Sequence, residues 1–430
     1  MIQTIRKAWG IPELRKKIVF TLLILLIFRL GNAIMVPYIN RDALALQMQV
    51  WGTGLLGLYN VMSGGAFATA TVFALSIQPY INSSIIIQLL TVAIPALERL
   101  AKEGEEGRKR LEKITRYTMV ALALLQATAY YLMLKNFNAV QFVDGGVGMF
   151  TAAVIILTFT GGSCLLVWLG EQIDKKGIGN GISMILFAGI VSRIPQLVST
   201  MVSSLANGSL KWYTALLLIV GILAIMIFIV FITNSERSIP VQYAKRVVGR
   251  KMYGGQSTHL PIKVNMSGVL PIIFAQSIAS LPATIIAFTG TSSTGFWAWM
   301  NKYVFDNKSV VYMVCYFLLI IAFSYFYATI QFNPIEIANN LKKNGGFIPG
   351  FRPGKPTADF ILKVINKITL FGALYLAIVA ILPIIVGNII GNSSLAIGGT
   401  SVIIVVGVAL ETVKAMEAQM LMRHYKGFLE

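Results

Sequence analysis

The sequence predicts an all-α polytopic membrane protein. Three observations carry that expectation: ten apolar runs near membrane-spanning length, a scarcity of charge, and a one-sided distribution of Lys and Arg. A hydrocarbon core of about 30 Å needs about 20 residues of helix. Runs of that order fall at 18–38, 72–95, 115–134, 148–169, 181–203, 213–233, 267–289, 310–332, 368–388 and 398–418. Of the 430 residues, 56% are hydrophobic and only 12% are charged, against about 25% charged in soluble chains. Lipid cannot satisfy a backbone N–H or C=O, so each run is expected to be helical.

The net charge of +19 is an asymmetry rather than a general attraction to anions. Most Lys and Arg lie at the N-terminus (Arg6, Lys7, Arg15, Lys16, Lys17), in the segments 97–114, 170–180, 234–265 and 333–367, and at the C-terminal end. With ten spans these segments share one side of the membrane. The positive-inside bias places that side, and both termini, in the cytoplasm. The first apolar run is long enough to remain as a span, and a cleaved signal peptide is not expected.

The first span holds Arg29 between apolar residues. Such a residue is a functional candidate, or it packs against carbonyls of a neighbouring helix or snorkels outward. Next comes "LYNVMSGGAFATATVFALSIQPYINSSIIIQLL", residues 58–90. Its first half is apolar but weakened as a helix by Gly64 and Gly65, and too short to cross. Non-helical backbone at membrane depth is tolerated only where protein or water covers it, so this broken piece points to a cavity or moving part. "ERLAKEGEEGRKRLEK" mixes acids with bases and reads as a solvated helical extension with i,i+4 pairs. The inside loops 234–265 and 333–367 carry the turn chemistry of "YGGQSTHLP" and "NGGFIPGFRPGKP" and are expected to form shaped hairpins that together make a docking platform. Cys164 and Cys315 read as small buried hydrophobes. Ten spans divide into five and five, and an odd number per half makes inverted repeats an option.

Several chemistries lack their residues. No GxxxxGK[ST] loop is present, and His259 and His424 do not sit at metal-ligand spacing. Asp42, Asp144 and Asp306 fall in outside loops, and Glu411 lies near the inner end of the last span. The spans hold no carboxylate pair, which weighs against an ion-coupled carrier. No cofactor or metal is expected. The alternative left open is a solute or lipid transporter built from inverted repeats.

The stretches "MSGGA", "PYINSSIIIQLLT", "WLGEQIDKKGIGNGIS", "IPVQYAKR", "QSTHLPIKVNMSGVLP", "FNPIEIANNLKKNGGFIPGFRPG" and "GGTS", in this order, resemble the SecY/Sec61-alpha family of protein-translocation channel subunits, in a Bacillus-type Gram-positive form. The resemblance implies two inverted five-helix halves, 1–205 and 206–430, hinged near 204–212 around an hourglass pore. It implies a short re-entrant plug helix at about 57–68, comprising Leu58, Tyr59, Asn60, Val61, Met62, Ser63, Gly64, Gly65, Ala66 and Phe67. The pore ring would be Ile77, Ile81, Ile182, Leu186, Ile273 and Ile404. A lateral gate would lie between the helices at 73–95 and 267–289, with Asn82, Gln126 and Ser277 as its polar residues. Lys245, Arg246, Arg250, Lys251 and Arg352 would dock the SecA motor or the ribosome. SecE and SecG would complete the channel in the bacterial plasma membrane. Unfolded preproteins with signal sequences would pass through, and transmembrane segments would leave sideways into lipid. On this reading the chain is not an enzyme.

Overall fold

The computed structural model describes residues 2–40, 43–44, 60–141, 145–208, 211–243, 246–248, 251–253, 257–266, 268–289, 309–390 and 399–426. In chain order the helices are α1 (Ile2–Trp9), α2 (Pro12–Gly31), α3 (Gln78–Ala93), α4 (Pro95–Lys102), α5 (Glu105–Asn136), α6 (Gly145–Lys176), α7 (Gly181–Val191), α8 (Ile194–Ala206) and α9 (Trp212–Asn234). The strands β1 (Glu236–Tyr243), β2 (Arg246–Val248), β3 (Lys251–Tyr253) and β4 (Ser257–Lys263) follow. Then come α10 (Leu270–Thr289), α11 (Val310–Gln331), α12 (Pro334–Lys343), β5 (Gly346–Phe347), α13 (Lys355–Ile390) and α14 (Gly399–Lys426).

A helix or helix pair falls on each of the ten expected spans. Among the described residues six helices are long and apolar enough to cross a membrane, or up to seven with α3 and α4 counted as one bent span. The surface inverts the soluble pattern. On α9, Leu217, Ile227 and Phe231 are 68%, 71% and 68% exposed, which suits lipid rather than water.

Three boundaries differ from expectation. The span at 72–95 becomes helical only at Gln78, because Pro79 sits in the first helical turn and Ser76 just before it has φ 51°. Proline there is pre-set for a helix start. Residues 63–77 form successive turns and one bridge, and only residues 60–62 of the expected plug helix are helical. Leu58 and Tyr59 lie outside the described residues. The span at 181–203 is split between α7 and α8, where Pro195 opens the second helix.

One end of the bundle gathers both chain ends. Helix α1 packs on α14 through a small core of Ala8, Leu14, Ile178 and Met416. Lys17 Nζ donates to Gln419 Oε1 at 3.1 Å across the same contact. The expected charged extension forms Lys102–Glu98, Lys109–Glu105 and Arg110–Glu106 pairs, all i,i+4. These exposed pairs add little stability each. The Lys102 ammonium holds the exposed Glu98 carboxyl below its ordinary range.

The two long basic loops share one sheet, ordered β4-β1-β5. β1 and β4 run antiparallel from Glu236↔Lys263 to Gln242↔Ser257, and β5 adds Gln242↔Phe347 and Tyr243↔Gly346. Ile239, Val241 and Ile262 pack with Ile348, Ile361 and Ile365 into a core of their own. β5 is too short to reach Pro240, so that residue, which lacks a donor, pairs on one side only.

Both cysteines are free. Cys164 is half-buried, but Cys315 is exposed on α11 rather than buried as expected. An apolar thiol on an outward helix face is compatible with lipid.

Neighbouring glycines on α6 give a paired prediction. A Cβ on Gly162 would meet the Val72 carbonyl oxygen at 2.0 Å, while one on Gly161 would meet nothing within 4 Å. Gly162→Ala is expected to destabilise the protein by about 1–3 kcal/mol through overpacking. Gly161→Ala is expected to stay within about 0.5 kcal/mol of the parent. Thermal unfolding in detergent, run on both variants, checks this.

Candidate functional site

The site forms where α2, α3, α7, α10 and α14 converge. Ile77 caps α3, and Ile81 lies one turn further on the same face. Helix α7 is started by Asn180, whose Oδ1 accepts from Ser183 N at 3.0 Å, and by Asp174, whose Oδ1 accepts from Gly181 N at 2.7 Å. Those two caps fix the phase of α7 and set Ile182 and Leu186 on one face. Ile273 sits in the first turn of α10, and Ile404 in the second turn of α14.

All six expected ring residues meet in one apolar cluster. Ile77, Ile81, Leu186, Ile273 and Ile404 are 0%, 8%, 4%, 9% and 3% exposed, and Ile182 packs against them half-buried. The sequence positions of the six are far apart, and Met62 from the broken segment packs into the same cluster.

The broken segment is seated by its backbone. Gly64 and Gly65 have φ of 68° and 95°, a region that side-chain-bearing residues avoid. The turn is closed by Gly65 N to Asn60 O at 2.8 Å and Phe67 N to Ser63 Oγ at 3.0 Å. Helix α2 reaches its carbonyls: Asn32 Nδ2 donates to Ser63 O at 3.2 Å and Arg29 Nη1 to Gly64 O at 3.5 Å. Tyr130 Oη on α5 donates to Phe67 O at 2.6 Å, and its ring packs at a tilt against Phe67 at 4.6 Å and Phe159 at 5.0 Å. On α7, Gly189 Cα lies 3.2 Å from where a Gly64 Cβ would stand. Beyond the turn, Val36 N to Ala70 O and Val72 N to Ile34 O bridge the segment to the chain leaving α2. Residues 73–79 are all buried.

Arg29 thus contacts a carbonyl, though of the turn segment rather than of a neighbouring helix. Asn32 and Tyr130 are not among the site residues expected from the sequence. Asn32 lies three residues from Arg29, a spacing that signalled a shared face, whereas nothing local marked Tyr130.

Asn82, Gln126 and Ser277 are half-buried on α3, α5 and α10, and α5 packs against both other helices. On the basic end, Arg352 is exposed in a stiff turn. Phe351 stacks on Phe360 at 4.2 Å, Thr357 Oγ1 donates to Arg352 O at 2.8 Å, and Gly350 and Gly354 have φ of 88° and 111°. Arg246 opens β2 and Lys251 opens β3 in one hairpin. Lys245 and Arg250 lie outside the described residues.

A bundle of membrane-length helices that meet at an aliphatic cluster, where a solute finds no polar partner, defines a polytopic membrane protein. The comparisons narrow the class. A family profile described as SecY matches residues 71–413. The chain is 42% identical over 440 residues to the protein translocase subunit SecY of Streptomyces scabiei, and 44% identical over 437 residues to that of Bacillus subtilis, covering all of both chains each time. It is similar in structure to a SecY channel whose plug domain is described as stabilising the closed state and maintaining a membrane seal, with TM-score 0.65, 19% identity and 97% of both chains covered. It is also similar to Sec61 in a canine ribosome–channel complex, with TM-score 0.62, 18% identity and 97% of both chains covered. The chain belongs to the SecY family. It has the fold of those channel structures, and the family supports translocation rather than solute transport.

Tyr130→Phe is expected to free the Phe67 carbonyl from its shorter bond. Amide exchange across residues 67–71 then rises about fivefold, the equivalent of one buried hydrogen bond. Hydrogen-exchange mass spectrometry of the purified complex reads this directly.

Proposed function

We propose that the chain is the pore-forming subunit of a protein-conducting channel in the bacterial plasma membrane. Both termini lie in the cytoplasm, consistent with the shared end of α1 and α14 and the gathering of Lys and Arg there. Unfolded preproteins pass through the waist, and transmembrane segments leave sideways between α3 and α10. The chain is not an enzyme and uses no cofactor. Its division falls at 1–205 and 206–430, with the hinge near 204–212.

The observation that carries this reading is the convergence of Ile77, Ile81, Ile182, Leu186, Ile273 and Ile404 on one apolar cluster with Met62 of the broken segment. An apolar constriction gates by dewetting, because water and ions find no hydrogen bonds in it. It also imposes no sequence preference on a chain sliding through. The plug, including Asn60 to Phe67, seals one side at rest. Its anchors are a few hydrogen bonds to backbone carbonyls, so its release is an equilibrium that a bound partner or signal sequence shifts.

The partners are SecE and SecG within the membrane, and SecA or the ribosome on the basic sheet. Arg352, Arg246 and Lys251, together with Lys245 and Arg250, supply the cationic contacts. The guanidinium fork of Arg352 suits a carboxylate or a phosphate, and the stacked Phe351 keeps its turn preorganised.

Replacing Ile81 or Ile273 with Ser is expected to raise the resting ion conductance of the reconstituted complex in planar bilayers. Conductance equal to the parent argues against the seal. Arg352→Glu is expected to reduce motor-driven translocation while the complex still assembles. Equal loss of assembly and transport in this variant marks misfolding instead.

A further inference from the structure

A polar side chain borders the aliphatic cluster, and a residue of the broken segment covers it. Gln78 opens α3 directly after Ile77 and is 6% exposed. Its Nε2 donates to Met62 Sδ at 2.9 Å. Met62 is 4% exposed and packs in the same cluster as Ile77, Ile81 and Leu186. Its place is set by the backbone, since a Cβ on Gly189 of α7 would meet the Met62 carbonyl oxygen at 2.7 Å. On the other side of Ile77, Ser76 is 1% exposed, and its hydroxyl has no partner among the described residues. Two buried polar groups therefore flank Ile77, where apolar side chains alone would serve a seal. Neither Ser76 nor Gln78 is among the ring, plug or polar gate residues expected from the sequence.

A glutamine amide offers two donors and an acceptor oxygen, and a thioether is only a weak acceptor. The contact with Met62 thus covers the amide more than it satisfies it. An amide in apolar surroundings that loses its partner carries a desolvation cost, and water removes that cost. Water enters a buried site when polar groups are there to hold it. The cover and the covered group also belong to different parts of the fold. Met62 lies in the broken segment, held by a few hydrogen bonds, whereas Gln78 lies in the first turn of α3. Movement of the segment away from α3 separates them and leaves the amide beside Ile77.

We propose that Gln78 is a hydration switch for the waist. At rest Met62 covers its amide, and the waist stays dry. When the broken segment leaves, the amide is uncovered. Together with the Ser76 hydroxyl it draws water to Ile77 and lowers the barrier to wetting that an aliphatic constriction otherwise keeps. This rests on the channel reading above. Gln78 is a positioning residue: it acts through water and need not touch the transported chain.

The test is the ion conductance of the reconstituted complex in planar bilayers, at rest and after a synthetic signal peptide is added to open it. Two variants remove the amide, Gln78→Leu and Gln78→Met, the second keeping the length of the side chain. Both are expected to leave the resting conductance at the parental level and to lower the opened conductance about threefold to tenfold, the equivalent of one hydrogen-bonding group. Met62→Leu keeps an apolar side chain but removes the acceptor, and is expected to raise the resting conductance by about the same factor. Adding Gln78→Leu to Met62→Leu is expected to return the resting conductance to the parental level, because no amide is left to uncover. A leak that persists in the double variant comes from a loosened segment and overturns the proposal. Parental opened conductance in both Gln78 variants, or parental resting conductance in Met62→Leu, also overturns it. Ile81→Ser is the reference. If it leaks while the switch variants fail, the channel reading stands without the switch. If it is as tight as the parent, or if the peptide does not open the parent, the channel reading fails and the switch with it.

Discussion

A hydrocarbon layer offers no hydrogen bonds, and that constraint governs this molecule. Every backbone N–H and C=O within the layer must find its partner inside the protein. Helices meet the requirement by themselves. Residues 63–77 do not, since they run as turns rather than as a helix. They are tolerated because other elements cover them. Asn32, Arg29 and Tyr130 supply donors to their carbonyls, and the chain after α2 bridges them at residues 70–72.

That cover has a structural cost in side-chain size. The segment has to lie close to its neighbours, and glycine marks each approach: Gly64 against Gly189 on α7, and Gly162 on α6 against Val72. Small residues let backbones approach in membrane bundles. Here they seat a segment held by a few polar contacts rather than by a full helix of hydrogen bonds. The cluster of aliphatic side chains next to it makes no directional bonds of its own. A helical bundle with such a segment beside a nondirectional cluster can change state without rebuilding its helices.

Much of this was legible in the sequence. The ten apolar runs gave the spans, and Glu and Lys spacing at 98–113 gave the i,i+4 pairs, because both signals are local and periodic. The six aliphatic residues proposed as the waist carried no such signal, since any Ile in a membrane helix looks alike. They were expected from the family resemblance, and the fold brings them into one cluster. The start of α3 was placed too early because residues 72–77 are as apolar as the helix they precede, and only Pro79 marks the boundary. The joining of β5 to β1 was not legible, because that pairing spans about a hundred residues of chain and leaves no local pattern. Tyr130 was missed for the same reason: its partner, Phe67, is distant in sequence. Cys315 was expected inside, because hydropathy alone does not separate a lipid-facing residue from a core one.

The central claim is that a translocating chain passes through the aliphatic waist. Site-specific photocrosslinking tests it most directly, with probes at Ile77, Ile273 and Ile404 and a preprotein stalled midway in an active complex. The account predicts adducts between the stalled chain and all three positions. An active complex that gives no adduct at any of them contradicts it.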